Sequence, residues 1–431
     1  MGRFTGLLGI LIILGIGVAL CPNRRRINLR IVGAGLALQL ILAWACLSFP
    51  PLVAAFDGLA AAFNRIISFA DAGSAFVFNG LADASGSAQA PWGFIFAVKV
   101  LPVIIFFASL MGVLYHLGIM QRVVAAIALL LRAALGVTGV EALSASANIF
   151  LGQTEAPLCV RPYIATMTRA QLMAIMTGGF ATIAGSVMAA YVGILGGKSD
   201  PERILFAKHL LTASLMSAPA GLVMARIMYP ETESPRDEHL HNLSGQRTTR
   251  NVLDAAATGA ADGLHLALNV GAMLIAFVAL LAMLNWPLQA LSMLDSVKAW
   301  REAHGVPILS FQNILGWILS PMAWVMGVPR DDCRFFGGLM GTGVVATEFV
   351  AYSDLGAAIQ QGTVSHRAAQ IATYTLCGFA NLPSIAIQIG GIGGMAPQRR
   401  SELAALGLRA MTAGALACWM TGALASLFIT S

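Results

Sequence analysis

The feature that most constrains this chain is its set of long apolar segments, which are separated by short charged loops. A helix needs about 20 consecutive apolar residues to cross the hydrocarbon core of a bilayer, and several segments reach that length. Of the 431 residues, 58% are hydrophobic and only 11% are charged. This composition is too apolar for an ordinary globular domain. The sequence therefore predicts an all-α protein that crosses a membrane several times.

The apolar segments predict about eight spans, at residues 4–20, 31–49, 92–115, 171–194, 204–228, 257–284, 368–391 and 403–429. Residues 51–90 mix polar residues into a helical pattern, which predicts a helix that lies in the membrane interface. Residues 136–165 and 330–358 are too interrupted to span the membrane and too apolar for exposed loops. Re-entrant hairpins are expected at both places.

Basic residues predict the orientation of the chain. The cluster NRRRINLR at residues 23–30 follows the first apolar segment, whereas a cleaved signal peptide has its positive charges before that segment. Loops rich in Lys and Arg stay in the cytoplasm, so we expect the N-terminus outside and this cluster inside. The same rule places the linker 231–251 and the turn at Arg399 and Arg400 inside. We interpret the net charge of +6 as the result of basic residues in cytoplasmic loops, and no nucleic-acid partner is expected.

An internal repeat relates the two interrupted segments. The first contains LGQTEAP and is followed by GGFATIAGSVMAAYVG, while the second contains GTGVVATEFVAYSDL and is followed by CGFANLPSIAIQIGGIGG. Each has Thr-Glu at the break and Gly-Phe-Ala in the next span, so residues 179–182 align with residues 378–381. We expect an inverted repeat whose hairpins open to opposite sides. Such repeats place a substrate site at their interface near the middle of the bilayer.

The acids Glu155 and Glu348 lie in these two breaks. A carboxylate in mid-membrane costs about 2.5 to 3.5 kcal/mol on insertion scales, so it usually faces a cavity, a partner or a substrate. Thr154 is expected to cap a half-helix that starts at Glu155, with Pro157 in its first turn. Two acids without a nearby cation favour a neutral polyhydroxylated solute or a cation over an anionic substrate.

Structural interpretations of the same residues stay open. Each acid could pair with an arginine elsewhere in the fold or lie near the membrane surface. Asn381 and Ser384 could be ordinary interhelical hydrogen-bonding residues, and Phe379 could be a core residue. The glycines of GGIGG are interpreted as sites of close helix packing. The six cysteines lack CxxC spacing, so neither a metal cluster nor a disulfide framework is expected.

The motifs GQTEAP, GGFATIAGS, TEFVAYSDL and CGFAN, followed by SIAIQIGGIGG, together resemble the concentrative nucleoside transporter family. The resemblance covers nearly the whole chain. It implies a homotrimer surrounded by lipid in a bacterial inner membrane, which takes up nucleoside with a coupling ion, is not an enzyme and needs no organic cofactor. Three regions are expected: N-terminal spans and interfacial helix (1–91), a gate-like half with the first hairpin (92–195), and a C-terminal half with the second hairpin (196–431).

The resemblance also implies a substrate site. The residues that match the family's nucleobase contacts are Gln153, Thr154, Glu155 and Val187. The residues that match its ribose contacts are Glu348, Phe379, Asn381 and Ser384. Two departures from the family pattern stand out: Thr347 replaces a common Asn, and NLPSI replaces NFSSI, which makes Pro383 a candidate for altering the second break.

The coupling ion implied by the resemblance is sodium. Its ligands would be the side chains of Asn148 and Thr182 and the carbonyl groups of Leu151 and Ile183. Oxygen ligands suit a hard cation. A desolvated carboxylate such as Glu155 can instead carry a proton, so proton coupling remains the alternative.

Other classes of function fit less well. No GxxxxGK[ST] loop occurs in the sequence, which disfavours direct drive by ATP. A membrane-embedded enzyme could use Glu155 and Glu348 as an acid/base pair, but no metal cluster or activated nucleophile accompanies them. A passive channel is the third alternative.

Overall fold

The computed structural model describes residues 2–82, 95–197, 199–234, 249–304 and 307–429. Within these ranges every regular element is a helix, and there is no strand. The helical stretches that are long and apolar enough to cross a membrane are Leu29–Ser48, Pro50–Leu81, Phe96–His116, Arg169–Gly196, Asp200–Met228, Val252–Ser292 and Pro397–Ser426. The predicted all-α polytopic fold is confirmed.

The N-terminal region consists of α1 (Gly2–Ala19), α2 (Leu29–Ser48) and α3 (Pro50–Phe78). The first two match the predicted spans. Two prolines begin α3, where their missing N–H groups cost little. α3 is one unbroken helix with the length and composition of a span, so its place in the interface stays a prediction. Residues 83–90 of the predicted interfacial segment lie outside the described residues.

The third predicted span consists of α4 (Phe96–Lys99) and α5 (Leu101–His116), and its first residues, 92–94, lie outside the described part. The sequence did not predict the next helix, α6 (Ile119–Leu135), as a separate element. Gly118 and Gly136 flank it with φ angles of 77° and 69°. Glycine adopts this left-handed conformation without a steric penalty, so the chain turns at both ends of α6.

The first hairpin runs from α7 (Gly139–Asn148) to a 3₁₀ helix (Ala156–Thr166), and the broken span that follows consists of α8 (Arg169–Ala181) and α9 (Gly185–Gly196). The expectation that Thr154 caps an α-helical arm is wrong. Glu155 precedes the 3₁₀ arm, and no side chain caps it. Pro157 and Pro162 both lie in this arm. Pro157 is in the first turn, where a missing N–H costs little, but Pro162 lies in the interior, where an α-helix would require its backbone hydrogen bond.

Four helices connect the two repeats or lie between them: α10 (Asp200–Met228), α11 (Val252–Ser292), α12 (Asp295–Ala303) and α13 (Phe311–Val325). α11 has 41 residues and extends past both ends of the predicted span. α12 and α13 were not predicted. Arg236 and Arg247, which were expected in the cytoplasmic linker, lie outside the described residues.

The second hairpin consists of α14 (Cys333–Val345) and α15 (Glu348–Gln360). The second broken span consists of α16 (His366–Thr375) and α17 (Leu382–Met395). It is followed by α18 (Arg400–Ser426). Thr347 caps α15 by accepting a hydrogen bond from the N–H of Val350 at 3.4 Å. Threonine and asparagine are both good capping residues, so this departure keeps the local structure. Pro383 lies in the first turn of α17, where proline is tolerated.

The two hairpins open at opposite ends of α18. Arg169, where the first hairpin leads into α8, lies 3.4 Å from Glu402 at the start of α18. Arg367, where the second hairpin leads into α16, donates to the carbonyl of Ser426 at the end of α18 at 2.9 Å. About 36 Å of helix separates Glu402 from Ser426 at the standard rise per residue. The predicted inverted repeat is confirmed.

Candidate functional site

The breaks of the two interrupted spans lie against each other and are largely buried. The first comprises Thr182–Ala184, and the second ends at Asn381. A Cβ atom on Gly378 would lie 2.5 Å from the carbonyl oxygen of Phe180, closer than any side chain allows. Glycine at this position therefore permits the two breaks to meet.

Glu348 is the acid at the centre of this region. It is 4% exposed, and its two oxygens accept hydrogen bonds from different elements. The hydroxyl of Tyr191 on α9 donates to Oε1 at 2.8 Å, and Nδ2 of Asn381 donates to Oε2 at 2.6 Å. Among the described residues, no Lys or Arg forms a salt bridge with Glu348. Among the described residues, Glu348 therefore does not serve as one member of a structural ion pair with an arginine.

A second group of hydrogen bonds connects the tip of the first hairpin to α17. Nε2 of Gln153 donates to Oγ of Ser384 at 3.1 Å, and Nε2 of Gln388 donates to Oε1 of Gln153 at 3.1 Å. Oδ1 of Asn381 accepts from the N–H of Ser384 at 2.9 Å. Asn381 thus belongs to both groups, and the structure brings Gln153, Glu348, Asn381 and Ser384 together.

Sequence reasoning missed Tyr191 and Gln388. Each lies one helical turn after a residue that the motifs did mark, since Tyr191 follows Val187 by four positions and Gln388 follows Ser384 by four. Residues at this spacing share one face of a helix. A polar residue at that spacing inside an apolar half-helix was the available signal.

The remaining predicted substrate residues differ in their packing and burial. The carboxylate of Glu155 folds over its own turn, against Gly152 and Thr154. Thr154 packs on α17, where a Cβ atom on Gly391 would lie 2.7 Å from Thr154 Cγ2. The close approach of the hairpin tip to α17 therefore explains Gly391, and not the packing of two helices, whereas Gly390 and Gly394 have no atom within 4 Å of that position. Val187 is buried and Phe379 is partly exposed.

The predicted ion ligands lie beside the first break. Asn148 ends α7 with no exposed surface, and neither its Oδ1 nor its Nδ2 has a hydrogen-bond partner in the described part of the chain. A Cβ atom on Gly178 would lie 3.1 Å from this Nδ2, so Asn148 packs on α8 one turn before Thr182. The hydroxyl of Thr182 donates to the carbonyl of Gly178 at 2.8 Å, which leaves its oxygen able to accept.

The donor set fits a hard cation. Leu151 lies in the turn after α7 and Ile183 lies in the break, so their carbonyl groups are outside regular helix. An unpartnered buried amide is costly; a cation would satisfy its Oδ1, and ordered water would satisfy its Nδ2. Neutral oxygen atoms from two side chains and two carbonyls are suitable ligands for sodium. No cluster of three His, Cys, Asp or Glu side chains occurs among the described residues.

Comparisons with known proteins identify the family. The family descriptions that match are Na+ dependent nucleoside transporter N-terminus (residues 8–81), nucleoside recognition (97–198) and Na+ dependent nucleoside transporter C-terminus (209–426). A Haemophilus influenzae protein, known as an uncharacterized transporter, is 44% identical over 433 residues that cover 100% of this chain and 98% of the relative. The chain belongs to the concentrative nucleoside transporter family.

Other members of the concentrative nucleoside transporter family have informative names. Human sodium/nucleoside cotransporter 1 is 36% identical over 97% of this chain and 63% of its own length. The structure of CNTnw in an inward-facing substrate-bound state is 40% identical, with a TM-score of 0.89 and coverage of 99% of this chain and 98% of that chain. The resemblance drawn from the motifs is confirmed. As a member of this family, the chain is a multi-pass membrane protein that transports nucleosides and is not an enzyme.

Proposed function

We propose that the chain is a nucleoside:sodium symporter of the bacterial inner membrane. The observation that carries this proposal is the position of Asn148. Its buried, unpartnered amide lies next to the break in the first interrupted span, and the polar groups around Glu348 lie at the same pair of breaks. An ion site and a solute site therefore share one structural element.

In the proposed site, Glu348 accepts hydrogen bonds from the ribose hydroxyls. Tyr191 and Asn381 each donate to one carboxylate oxygen, and every such oxygen can accept a further bond. Asn381 and Ser384 complete the ribose contacts, and Phe379 lies against the sugar. Gln153, Thr154 and Glu155 contact the polar edge of the base, and Val187 packs against its face.

Sodium binding and nucleoside binding are coupled because both sites use the turn after α7 and the start of α9. Sodium held by Asn148, Thr182 and the carbonyls of Leu151 and Ile183 would fix the turn after α7 and the start of α9. The same turn carries Gln153, and α9 carries the Val187 and Tyr191 side chains. An ion that stabilises these positions favours nucleoside binding, and linkage requires nucleoside to favour ion binding equally. The alternative is proton coupling, in which Glu155 takes up and releases a proton.

Uptake of labelled uridine into proteoliposomes tests the proposal. With an inward sodium gradient and equal pH on both sides, we expect uridine to accumulate and the accumulation to cease when the gradient is collapsed. Uptake that ignores sodium and follows a proton gradient would replace sodium with the proton. Uptake that equilibrates without any gradient would indicate a passive pathway.

The proposed assembly is a homotrimer with the N-terminus outside, divided into the regions 1–91, 92–195 and 196–431. Support for the orientation comes from the structure, because Arg26, Glu231 and Thr138 line one cavity and Arg399 donates to the carbonyl of Met167 at 2.8 Å. These basic loops thus gather at the end where the first hairpin opens. Much of α11 is apolar and exposed, which leaves a surface for lipid or for another protomer. Cross-linking in membranes tests the trimer.

A further inference from the structure

Two buried hydroxyl groups near Asn148 have no explanation in the proposed site. Ser144 on α7 is 1% exposed and Ser217 on α10 is fully buried. In the part of the chain that the structure describes, neither Oγ atom has a hydrogen-bond partner. Buried polar groups in native proteins are nearly always satisfied, by ordered water or an ion where protein groups do not suffice. These two hydroxyls therefore indicate that ordered water or an ion binds next to them.

The positions on α7 show which way Ser144 faces. Glu141, Ser144 and Asn148 are spaced three and four residues apart, so they share one face of the helix. Asn148 packs on Gly178 of α8, and Oε1 of Glu141 lies 2.6 Å from Nη2 of Arg226 on α10. Since both ends of this face contact α8 or α10, Ser144 faces the seam between α7 and these two helices.

The positions on α10 place Ser217 in the same seam. Oγ of Ser214 donates to the carbonyl of Ile149 at 2.7 Å, and a Cβ atom on Gly221 would lie 3.4 Å from the Cα of Gly178. Ser217 follows Ser214 by three residues and precedes Gly221 by four, so it shares their face. Because Ser214 contacts the end of α7 and Arg226 contacts its start, the two helices are antiparallel. Ser217 is about 5 Å along α10 from Ser214 toward that start, which is the direction in which Ser144 lies on α7.

The far end of the seam reaches an open space. The buried pair of Glu141 and Arg226 separates the hydroxyls from a cavity of about 240 Å³, whose lining includes Arg26, Asn28, Thr138, Arg226 and Glu231. This volume accommodates several water molecules, each of which takes about 30 Å³ in the liquid. The cavity lies at the end of the molecule that carries the basic loops.

We propose that the seam between α7, α8 and α10 is a hydrated passage through which the coupling cation moves between Asn148 and this cavity. The inference rests on the proposed sodium coupling. Ser144 and Ser217 supply hydroxyl oxygens that, with water, replace part of the hydration of a small hard cation. Glu141 attracts the cation at the far end, and Arg226 shares that carboxylate, so the cation is not held there permanently.

The test compares Ser144→Ala/Ser217→Ala with Ser146→Ala. Ser146 is equally buried on α7, but its hydroxyl donates to the carbonyl of Ala142 at 2.7 Å and needs no further partner. Sodium-stimulated uridine binding at equilibrium reports the ion site, and the initial rate of radioactive sodium uptake with uridine into proteoliposomes reports passage. We expect the double variant to keep sodium-stimulated binding and to lose roughly tenfold in rate, equivalent to about 1.4 kcal/mol of barrier. Ser146→Ala is expected to match the unmutated protein in both measurements.

The outcomes separate the passage from sodium coupling itself. If the unmutated protein shows no sodium stimulation of uridine binding, both the proposed coupling and the passage are wrong. If stimulation is present but the double variant transports sodium as fast as the unmutated protein, only the passage is wrong. A rise in thermal stability of the double variant at unchanged rate would show that both hydroxyls are dry, and would also reject the passage.

Discussion

Asn381 donates a hydrogen bond from Nδ2 to Oε2 of Glu348 at 2.6 Å. The same side chain accepts from the N–H of Ser384 at 2.9 Å and thereby caps α17. One residue therefore starts the second half-span and orients the acid of the second hairpin. Because the Asn381 side chain both caps α17 and bonds Glu348, a shift of α17 relative to α15 changes the position of the Glu348 carboxylate. The ribose contacts and the geometry of the break are coupled through this residue.

Glu348→Gln tests the role of this acid. A glutamine keeps the shape but replaces one acceptor oxygen with an NH₂ group, which would face the Tyr191 hydroxyl or the Asn381 amide. Hydrogen bonds to charged groups contribute about 1.5 to 3 kcal/mol, so we expect uridine to bind roughly 10- to 100-fold more weakly. Equilibrium binding of uridine to the purified variant measures this loss. Unchanged affinity would show that Glu348 does not hold the ribose, and deoxyuridines would show which hydroxyl it contacts.

Tyr191→Phe removes one of the two donors to Glu348. We expect weaker uridine binding by about tenfold, because the carboxylate loses a bond that fixes its orientation. Tyr352→Phe is the matched control, since Tyr352 is equally buried and stacks on Tyr191 with ring centroids 4.1 Å apart. Its hydroxyl donates to the carbonyl of Thr373 at 2.9 Å and not to Glu348. Equal losses in both variants would assign the effect to packing.

The sequence predicted the elements that depend on local pattern. The two hairpins were predictable because Thr-Glu interrupts an otherwise apolar segment at both places, and the breaks at Thr182 and Asn381 followed from the repeat. α6 was missed because hydropathy measures the length of apolar runs and does not detect a turn made by Gly118. The 3₁₀ arm was missed because a capping pattern at Thr154 carries no information about Pro162, which lies inside the arm and removes a hydrogen bond that an α-helix would need.

The site was predictable only in part, for a different physical reason. The repeat and the family motifs marked Glu348, but its partner Tyr191 lies 157 positions away in the sequence. Gln388 bonds Gln153 across 235 positions. Contacts of this kind depend on how helices pack, and no local periodicity records them. The same holds for Ser217, because its role in the proposed passage depends on the packing of α10 against α7.

The orientation of the protein can be tested by labelling single cysteines. Gln398→Cys lies in the exposed turn before α18, and Gln361→Cys lies in the exposed turn between α15 and α16 at the opposite end. We expect an impermeant thiol reagent added outside intact cells to label Gln361→Cys and to leave Gln398→Cys unlabelled, because basic loops stay in the cytoplasm. The reverse pattern would invert the proposed topology. The six native cysteines require replacement or a background control, although only Cys159 is partly exposed.

Asn148→Leu separates sodium coupling from proton coupling. Leucine has the same branched arrangement of four side-chain heavy atoms as asparagine, and the amide has no hydrogen-bond partner among the described residues, so we expect the variant to fold. Sodium stimulation of uridine uptake should be lost because an oxygen ligand is removed. Uptake driven by a proton gradient would instead continue nearly unchanged and would transfer the coupling role to Glu155 or Glu348. Uptake in proteoliposomes under each gradient distinguishes the two results.

Glu141→Ala tests whether the start of the first hairpin depends on its buried ion pair. Glu141 and Arg226 are 1% and 5% exposed, and Oε2 of Glu141 also accepts from the N–H of Thr138 at 3.1 Å. Removing one member of a buried pair typically costs about 3 to 5 kcal/mol, because the remaining charge loses its partner. Arg226 keeps Glu231 at 3.1 Å, which places the expected loss of unfolding free energy near the lower end of that range.

Thermal unfolding in detergent measures this loss. The control is Glu233→Ala, because Glu233 is an exposed acid whose removal should change stability by less than about 0.5 kcal/mol. Similar midpoints for the two variants would show that water from the neighbouring cavity already solvates Arg226.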